Sequence, residues 1–140
     1  MGKRIALKDQ IVVNSVDLSN FARSVEFNSE HANVDVSGFS TTGTNEYLAG
    51  ATEQSVTVEF FGAYGAAETY ATLYPIHKNR TTVPFTWMPD SSAVVGPTNP
   101  KLTGNVKLLT YSPSATRGGE EAWTATFTPA DAAGLAYVTT

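Results

Sequence analysis

The stretch that decides the fold runs from Thr41 to Gly62 and reads TTGTNEYLAGATEQSVTVEFFG. In its second half Val56, Val58 and Phe60 are apolar, and the residues between them are polar. Because successive side chains of a strand point to opposite faces, this pattern predicts a strand with one face on a core and one in water. The residues on the wet side are Glu53, Ser55, Thr57 and Glu59. They include carboxylates but no activated nucleophile, so the pattern favours a structural surface.

Short alternating runs on both sides of this stretch predict a mainly β protein. The further predicted strands are Ile11–Val13, Phe21–Phe27, Val34–Phe39, Val83–Met88, Lys101–Tyr111 and Ala122–Thr128. One helix is predicted over Ala66–Tyr74, ending where Pro75 removes a backbone donor. Pro84 favours an edge position or a strand start. The expected fold is an antiparallel β-sandwich or incomplete barrel with one flanking α-helix, and a meander is its simplest topology.

The last two predicted strands indicate a hairpin, because the segment between them contains Gly118 and Gly119. In the second strand, Trp123, Ala125 and Phe127 are expected to face inward. In the first strand, Leu108 and Leu109 are adjacent and both apolar, so strict alternation fails there. This predicts a bulge, or an interface that covers this end.

Composition limits the classes of function. The chain has 140 residues, no cysteine, a net charge of -4 and only 16% charged residues. This length fits a single domain over residues 1–140, and disulfide or thiolate chemistry is excluded. Scattered lysines and arginines argue against tight nucleic-acid binding. The apolar run after Met1 is too short for a signal peptide or a membrane span, so we expect cytoplasmic synthesis and no membrane partner.

The residues that could carry chemistry favour structural roles. His31 and His77 lie in different segments, and neither has triad or metal-ligand spacing. Glu53 and Glu59 could suggest a glycosidase pair, but the short chain offers no loops to build a cleft. Trp87 is in phase with apolar neighbours, as is Trp123, and core positions are expected for both. We therefore expect no enzyme activity, no cofactor and no metal.

The order of the segments resembles that of the tail tube (major tail) proteins of long-tailed bacteriophages. The likeness spans roughly residues 11–128. The segments that carry it are Val16–Val25, Val34–Phe39, Glu46–Gly50, Ser55–Phe60, Tyr70–Leu73, Thr82–Phe85 and Asn99–Val106.

The resemblance implies a virion protein, made in the host cytoplasm, whose copies join their sheets in six-membered rings. The rings stack into a hollow tube, bind other tail proteins and let DNA pass. It implies that the loop over Ser40–Ala51 and the terminal arms, residues 1–10 and 129–140, bridge the rings. The loop residues concerned are Thr41, Thr42, Thr44, Asn45, Glu46, Tyr47 and Leu48.

The lumen of such a tube would be weakly acidic, which would repel phosphates. We hypothesise that the residues lining it are Glu26, Glu53, Ser55, Thr57 and Glu59. Two other readings stay open: a capsid decoration or tail-completion protein, and a carbohydrate-binding β-sandwich module that uses an exposed Trp87 or Trp123.

Overall fold

Alternation of apolar and polar residues produces most of the secondary structure in the computed structural model, which describes residues 8–38 and 47–139. The strands in the described residues are β1 Gln10–Val13, β2 Val16–Asp17, β3 Ala22–Asp35, β4 Tyr47–Phe61, β5 Val83–Met88, β6 Lys101–Ser112, β7 Ala122–Pro129 and β8 Ala136–Val138. The helix α1 spans Thr69–Asn79. The predicted mainly β fold with one helix is confirmed.

The strands form one antiparallel sheet that does not close within the described residues. Its order is β2-β1-β5-β6-β7-β4-β3, and β8 pairs with β6 beside β7. This order is not the meander that the sequence suggested, because β4 lies against β7 rather than β5. The two middle strands of the order, β6 and β7, form the predicted hairpin.

The core lies on one side of this bent sheet. Val56, Val58 and Phe60 of β4 are fully buried, as the alternation predicted. Trp123, Ala125 and Phe127 of β7 are buried beside them, as predicted. The ring centroids of Phe85 on β5 and Phe127 on β7 lie 5.3 Å apart, so the core continues across the two strands that flank β6.

The helix is longer and starts later than the sequence predicted. Ala67 has a left-handed backbone with φ 57°, so Ala66–Glu68 is not helical. Pro75 lies inside the helix instead of ending it, because Leu73 and Ile76 are both buried in the core and hold the following turn in place. The helix ends at Asn79, and Arg80 follows as the C-cap in a left-handed conformation.

Three predictions about strands need correction. Phe21–Phe27 and Val34–Phe39 were expected to be separate strands, but β3 is continuous from Ala22 to Asp35, and Phe39 lies outside the described residues. Pro84 is the second residue of β5, which confirms a strand start, but β5 is an interior strand and not an edge.

The third correction concerns the expected loop over Ser40–Ala51. Tyr47 to Ala51 belong to β4, which pairs with β3 as far as Asp35. Residues 40–46 lie outside the described part of the chain. The sequence missed the first part of β4 because most of its side chains are exposed on both faces, so no burial alternation marks it.

Candidate functional site

The candidate site is the solvent side of the four neighbouring strands β3, β4, β7 and β6, which we call the polar face. Register fixes its membership: Thr57 of β4 pairs with Glu26 of β3 on one side and Thr126 of β7 on the other. Thr126 pairs in turn with Thr110 of β6. Facing pairs share a side of the sheet, so a polar row crosses all four strands.

The lumen residues predicted from sequence lie together on this face. Glu53, Ser55, Thr57 and Glu59 occupy alternate positions of β4, and Glu26 lies opposite Thr57. Residues outside the predicted lumen set complete the face. The alternation of β7 already indicates that its threonines face outward, whereas the register of the sheet is needed to add the residues of β3 and β6. The additional residues are Ser24, Asn28, Glu30, Lys107, Thr110, Ser112, Thr124, Thr126 and Thr128.

The charges on the polar face are mostly acidic but not uniform. The Glu59 carboxylate lies 4.0 Å from Nε of Arg23. Arg23 also donates to Glu120 across 3.1 Å, so this end of the face is partly neutralised. Glu53 lies directly opposite Glu30, which places like charges side by side. An open depression of about 510 Å³ adjoins these two glutamates and Asp131.

Two strand edges beside the polar face have no strand partner in the described residues. One is the outer edge of β3, at the end of the sheet order. The other belongs to Lys107–Ser112 of β6, because β5 covers β6 only from Leu102 to Val106 on that side. Exposed strand edges are templates for pairing with another chain.

The free edge of β6 is shaped by a bulge and by the helix. The predicted bulge is confirmed by a register shift between Leu108 and Thr110, which leaves Leu109 59% exposed. Nδ1 of His77 donates to the Leu108 carbonyl across 3.0 Å. An open depression of about 450 Å³ lies along this edge, lined by His77, Lys78, Arg80, Lys107, Leu108 and Leu109.

Beyond the core, β3 and β4 continue together as a two-stranded projection, residues 28–35 and 47–54, which we call the hairpin arm. Its residues from Asn28 to Asp35 are exposed on both faces. Val34 and Leu48 pair across it and are 46% and 60% exposed. At its end, the backbone N–H of Ser37 donates to the Asp35 carboxylate and lowers the pKa of Asp35.

The residues considered for chemistry lie apart from one another. His31 is on β3, where its ring bonds the Thr52 hydroxyl, and His77 is on α1. Trp123 is 2% exposed, as predicted, while Trp87 is only half-buried and donates to Asp9 across 2.8 Å. Among residues 8–38 and 47–139, no three His, Asp or Glu side chains are grouped as a metal site requires. In the same residues, the helix is too short to cross a membrane.

The same arrangement of strands occurs in solved structures of virion and tail proteins. No protein-family model and no curated protein matches the sequence. A chain in the virion of a native gene transfer agent particle superposes with a TM-score of 0.76 over 97% of this chain and 99% of its own, at 15% identity. A chain from the tail of an empty gene transfer agent particle, refined with C6 symmetry, gives 0.66 over 84% and 82%, at 17% identity.

A third structure, the SPP1 tail tube, gives a TM-score of 0.65 over 94% of this chain and 74% of its own, at 12% identity. The chain has the fold of these virion and tail proteins. The fold that the sequence resemblance implied is therefore confirmed. At these identities the likeness establishes the fold alone, so function must be argued from the surfaces of this chain.

Proposed function

We propose that this chain is the subunit of a phage-type tail tube: copies join in rings, the rings stack, and DNA passes through the bore. The observation that carries the proposal is the polar face of β3, β4, β7 and β6, bordered in the described residues by the unpaired edge of β3 on one side and that of Lys107–Ser112 on the other. The shared fold with a tail tube and with a C6-refined tail supports it. The protein would then act in the virion after synthesis in the host cytoplasm.

The free edges suit closure into a ring. Neighbouring strands alternate in direction, so β3 and β6, at opposite ends of the four-stranded sheet, run in opposite directions. Rotation about a ring axis keeps the direction of each strand along that axis. Copies related by this rotation therefore bring β3 of one copy against β6 of the next in antiparallel orientation. The junction would continue the ladder and remove both exposed edges.

The size of the resulting barrel fits a channel. Six copies would follow the symmetry of the gene transfer agent tail. With strands about 4.8 Å apart and tilted about 40°, four strands from each of six copies give a backbone circumference of about 150 Å and a diameter of about 48 Å. Side chains reaching about 6 Å inward leave a bore of about 36 Å, wider than a DNA duplex.

The polar face would line this bore, because the core and the helix lie on its other side. Glu26, Glu53, Ser55, Thr57 and Glu59 would then face the passing DNA. Carboxylates repel phosphates, and at physiological salt this repulsion acts over about 8 Å from the wall. The short hydroxyl side chains carry no positive charge that would bind phosphates, so the duplex can slide along the wall.

The hairpin arm would connect one ring to the next. A two-stranded ribbon with both faces in water is marginally stable alone, so the arm is expected to dock on another copy. Its exposed Val34 and Leu48 offer apolar contacts for that purpose. The inter-ring residues expected from the sequence are Thr41, Thr42, Thr44, Asn45, Glu46, Tyr47 and Leu48, of which the last two belong to β4 in the arm. Residues 129–140 were expected to bridge rings as well, but β8 and the buried Leu135 attach this segment to its own chain, so residues 1–10 would supply the further bridging arm. Other tail proteins would bind the ends of the tube.

Thiol labelling of assembled particles tests this proposal cleanly, because the natural chain has no cysteine. Glu26→Cys places a thiol on the polar face, and Ala71→Cys places one on the exposed side of α1 as the matched control. A maleimide on a protein carrier wider than the bore should label both variants before assembly. After assembly it should label only Ala71→Cys, while a small maleimide still labels both. Equal labelling of both assembled variants by the carrier, or failure of the wild-type chain to assemble, would contradict the proposal.

A further inference from the structure

The two free edges beside the polar face carry opposite charge. Lys107 projects from the polar face at the β6 edge, since it pairs with Thr128. Glu26 and Glu30 project from the same face at the β3 edge. We propose that Lys107 of one copy seats against Glu26 and Glu30 of the next copy and fixes the register of the ring junction. This inference rests on the proposed function, and it identifies the residues by which one copy recognises its neighbour.

The height of these residues along the strands supports the pairing. Leu108, Phe127, Val56 and Phe27 form one row across the four strands. Lys107 is one residue from that row, and so is Asn28 on the same face of β3. A junction without slip thus brings Lys107 level with Asn28, between Glu26 and Glu30. Diagonal neighbours on a sheet are about 7–8 Å apart, within reach of a lysine side chain.

The pairing of Lys107 with Glu26 or Glu30 is compatible with the offset between neighbouring strands that a closed barrel requires. A slip of two residues in either direction places Lys107 directly opposite Glu26 or Glu30. A slip of one residue would turn the side chains of one strand to the wrong face. The ion pair can therefore form when the two strands are offset by zero or two residues, but not when they are offset by one. Even a weak ion pair can select the register in this way.

In the lone protomer these charges are uncompensated. Within residues 8–38 and 47–139, the side chains of Lys107, Glu26 and Glu30 form no hydrogen bond or ion pair. Glu30 also faces Glu53, which is repulsive, while Lys107 borders a depression shared with Lys78 and Arg80. Each edge thus lacks a counter-charge that the other edge can supply.

The asymmetry selects the kind of assembly as well. A two-fold dimer formed by either edge would place like charges together, because both copies present the same edge. A head-to-tail contact places the acidic edge on the basic one and can continue into a ring. The same contact would hold Lys107 against carboxylates, so that the bore offers passing DNA fewer free cations.

Charge reversal and its rescue test the junction. The variants are Lys107→Glu, Glu26→Lys, Glu30→Lys and the doubles that combine the first with each of the others. Arg117→Glu, in the exposed turn between β6 and β7, makes the same change of charge elsewhere. Circular dichroism confirms folding, and sedimentation velocity in low and high salt measures the assembled fraction.

We expect Lys107→Glu to weaken each junction at least about threefold in low salt, as exposed ion pairs do, and this effect compounds around a ring. High salt should shrink the difference. At least one double variant should regain assembly, and Arg117→Glu should assemble like the wild-type chain.

If the wild-type chain forms rings and a folded Lys107→Glu variant assembles equally well, the proposed ion pair at the junction is wrong, but the proposed function is unaffected. Rescue by neither double variant would overturn the ion pair too. A wild-type chain that forms no rings would remove the proposed function itself, and the junction with it.

Discussion

At the scale of single residues, Gly104 of β6 lies closely against the backbone of the segment that leads into β8. A Cβ there would lie 2.7 Å from the Gly134 carbonyl oxygen and 2.8 Å from Cδ2 of Leu135. The segment before β8 can pack over β6 only because this position has no side chain. Leu135 is 4% exposed and belongs to the core, so displacing it affects stability.

Gly104→Ala should therefore lower the free energy of unfolding by about 1–3 kcal/mol, the usual cost of overpacking. Chemical denaturation followed by tryptophan fluorescence measures it. Gly96→Ala is the control, since a Cβ there meets nothing within 4 Å. Equal stability of the two variants would show that the Leu135 segment does not pack as described.

At the scale of elements, the sequence predicted the strand faces that are marked by alternating buried and exposed residues. It missed the features that depend on contacts between distant segments. The inward phase of Trp123, Ala125 and Phe127 was readable because one face of β7 is buried and the other is wet. The doubled leucines at 108 and 109 revealed the bulge for the same reason. The outer half of β3 was not readable, because the fold leaves it exposed on both sides.

The helix illustrates the opposite case, in which packing overrides a local signal. Pro75 removes one backbone hydrogen bond from the helix, yet the helix continues because Leu73 and Ile76 on either side of it are buried in the core. The sequence therefore placed the helix near its true position but ended it a turn early. On the polar face, alternation identified the residues of β4, but only the register could add Lys107 and Glu30 to them.

This override implies that Pro75 lowers stability. Pro75→Ala restores one backbone donor inside α1, which favours the helix by up to about 3 kcal/mol. The unfolded chain gains freedom worth about 0.4–1 kcal/mol in the opposite direction. We expect a net gain of about 1–2 kcal/mol in the free energy of unfolding, measured by thermal and chemical denaturation. Pro97→Ala, in the exposed loop before β6, should give no such gain, and a loss of stability in Pro75→Ala would refute the reasoning.

The hairpin arm gives a second prediction at this scale. Amide hydrogens of residues 28–35 and 47–53 should exchange quickly in the monomer, because most of the arm is exposed and its side-chain hydrogen bonds to the rest of the described chain come from Gln54 alone. Assembly should slow their exchange, whereas β7 should be protected in both states. Hydrogen–deuterium exchange with mass spectrometry makes this comparison. An arm that exchanges equally fast in monomer and assembly would exclude it from the contacts between copies.

At the scale of the whole molecule, the defining feature is an incomplete sheet. Where β3, β4, β7 and β6 cover the core, one side of them is buried and the other is polar. In the described residues, the outer edge of β3 and the Lys107–Ser112 edge of β6 have no strand partner. Copies of the same chain complete the ladder, and the completed ladder surrounds a space lined by hydroxyls and carboxylates. That geometry explains how copies recognise one another, how wide the bore is and why the bore does not bind DNA tightly.

An electron cryo-microscopy map of the particle that the purified chain forms tests this claim most directly. We predict a ring in which β3 of each copy pairs antiparallel with Lys107–Ser112 of the next, with Glu26 and Thr57 pointing into the bore. A map in which these edges stay apart, or in which the polar face points outward, would contradict it.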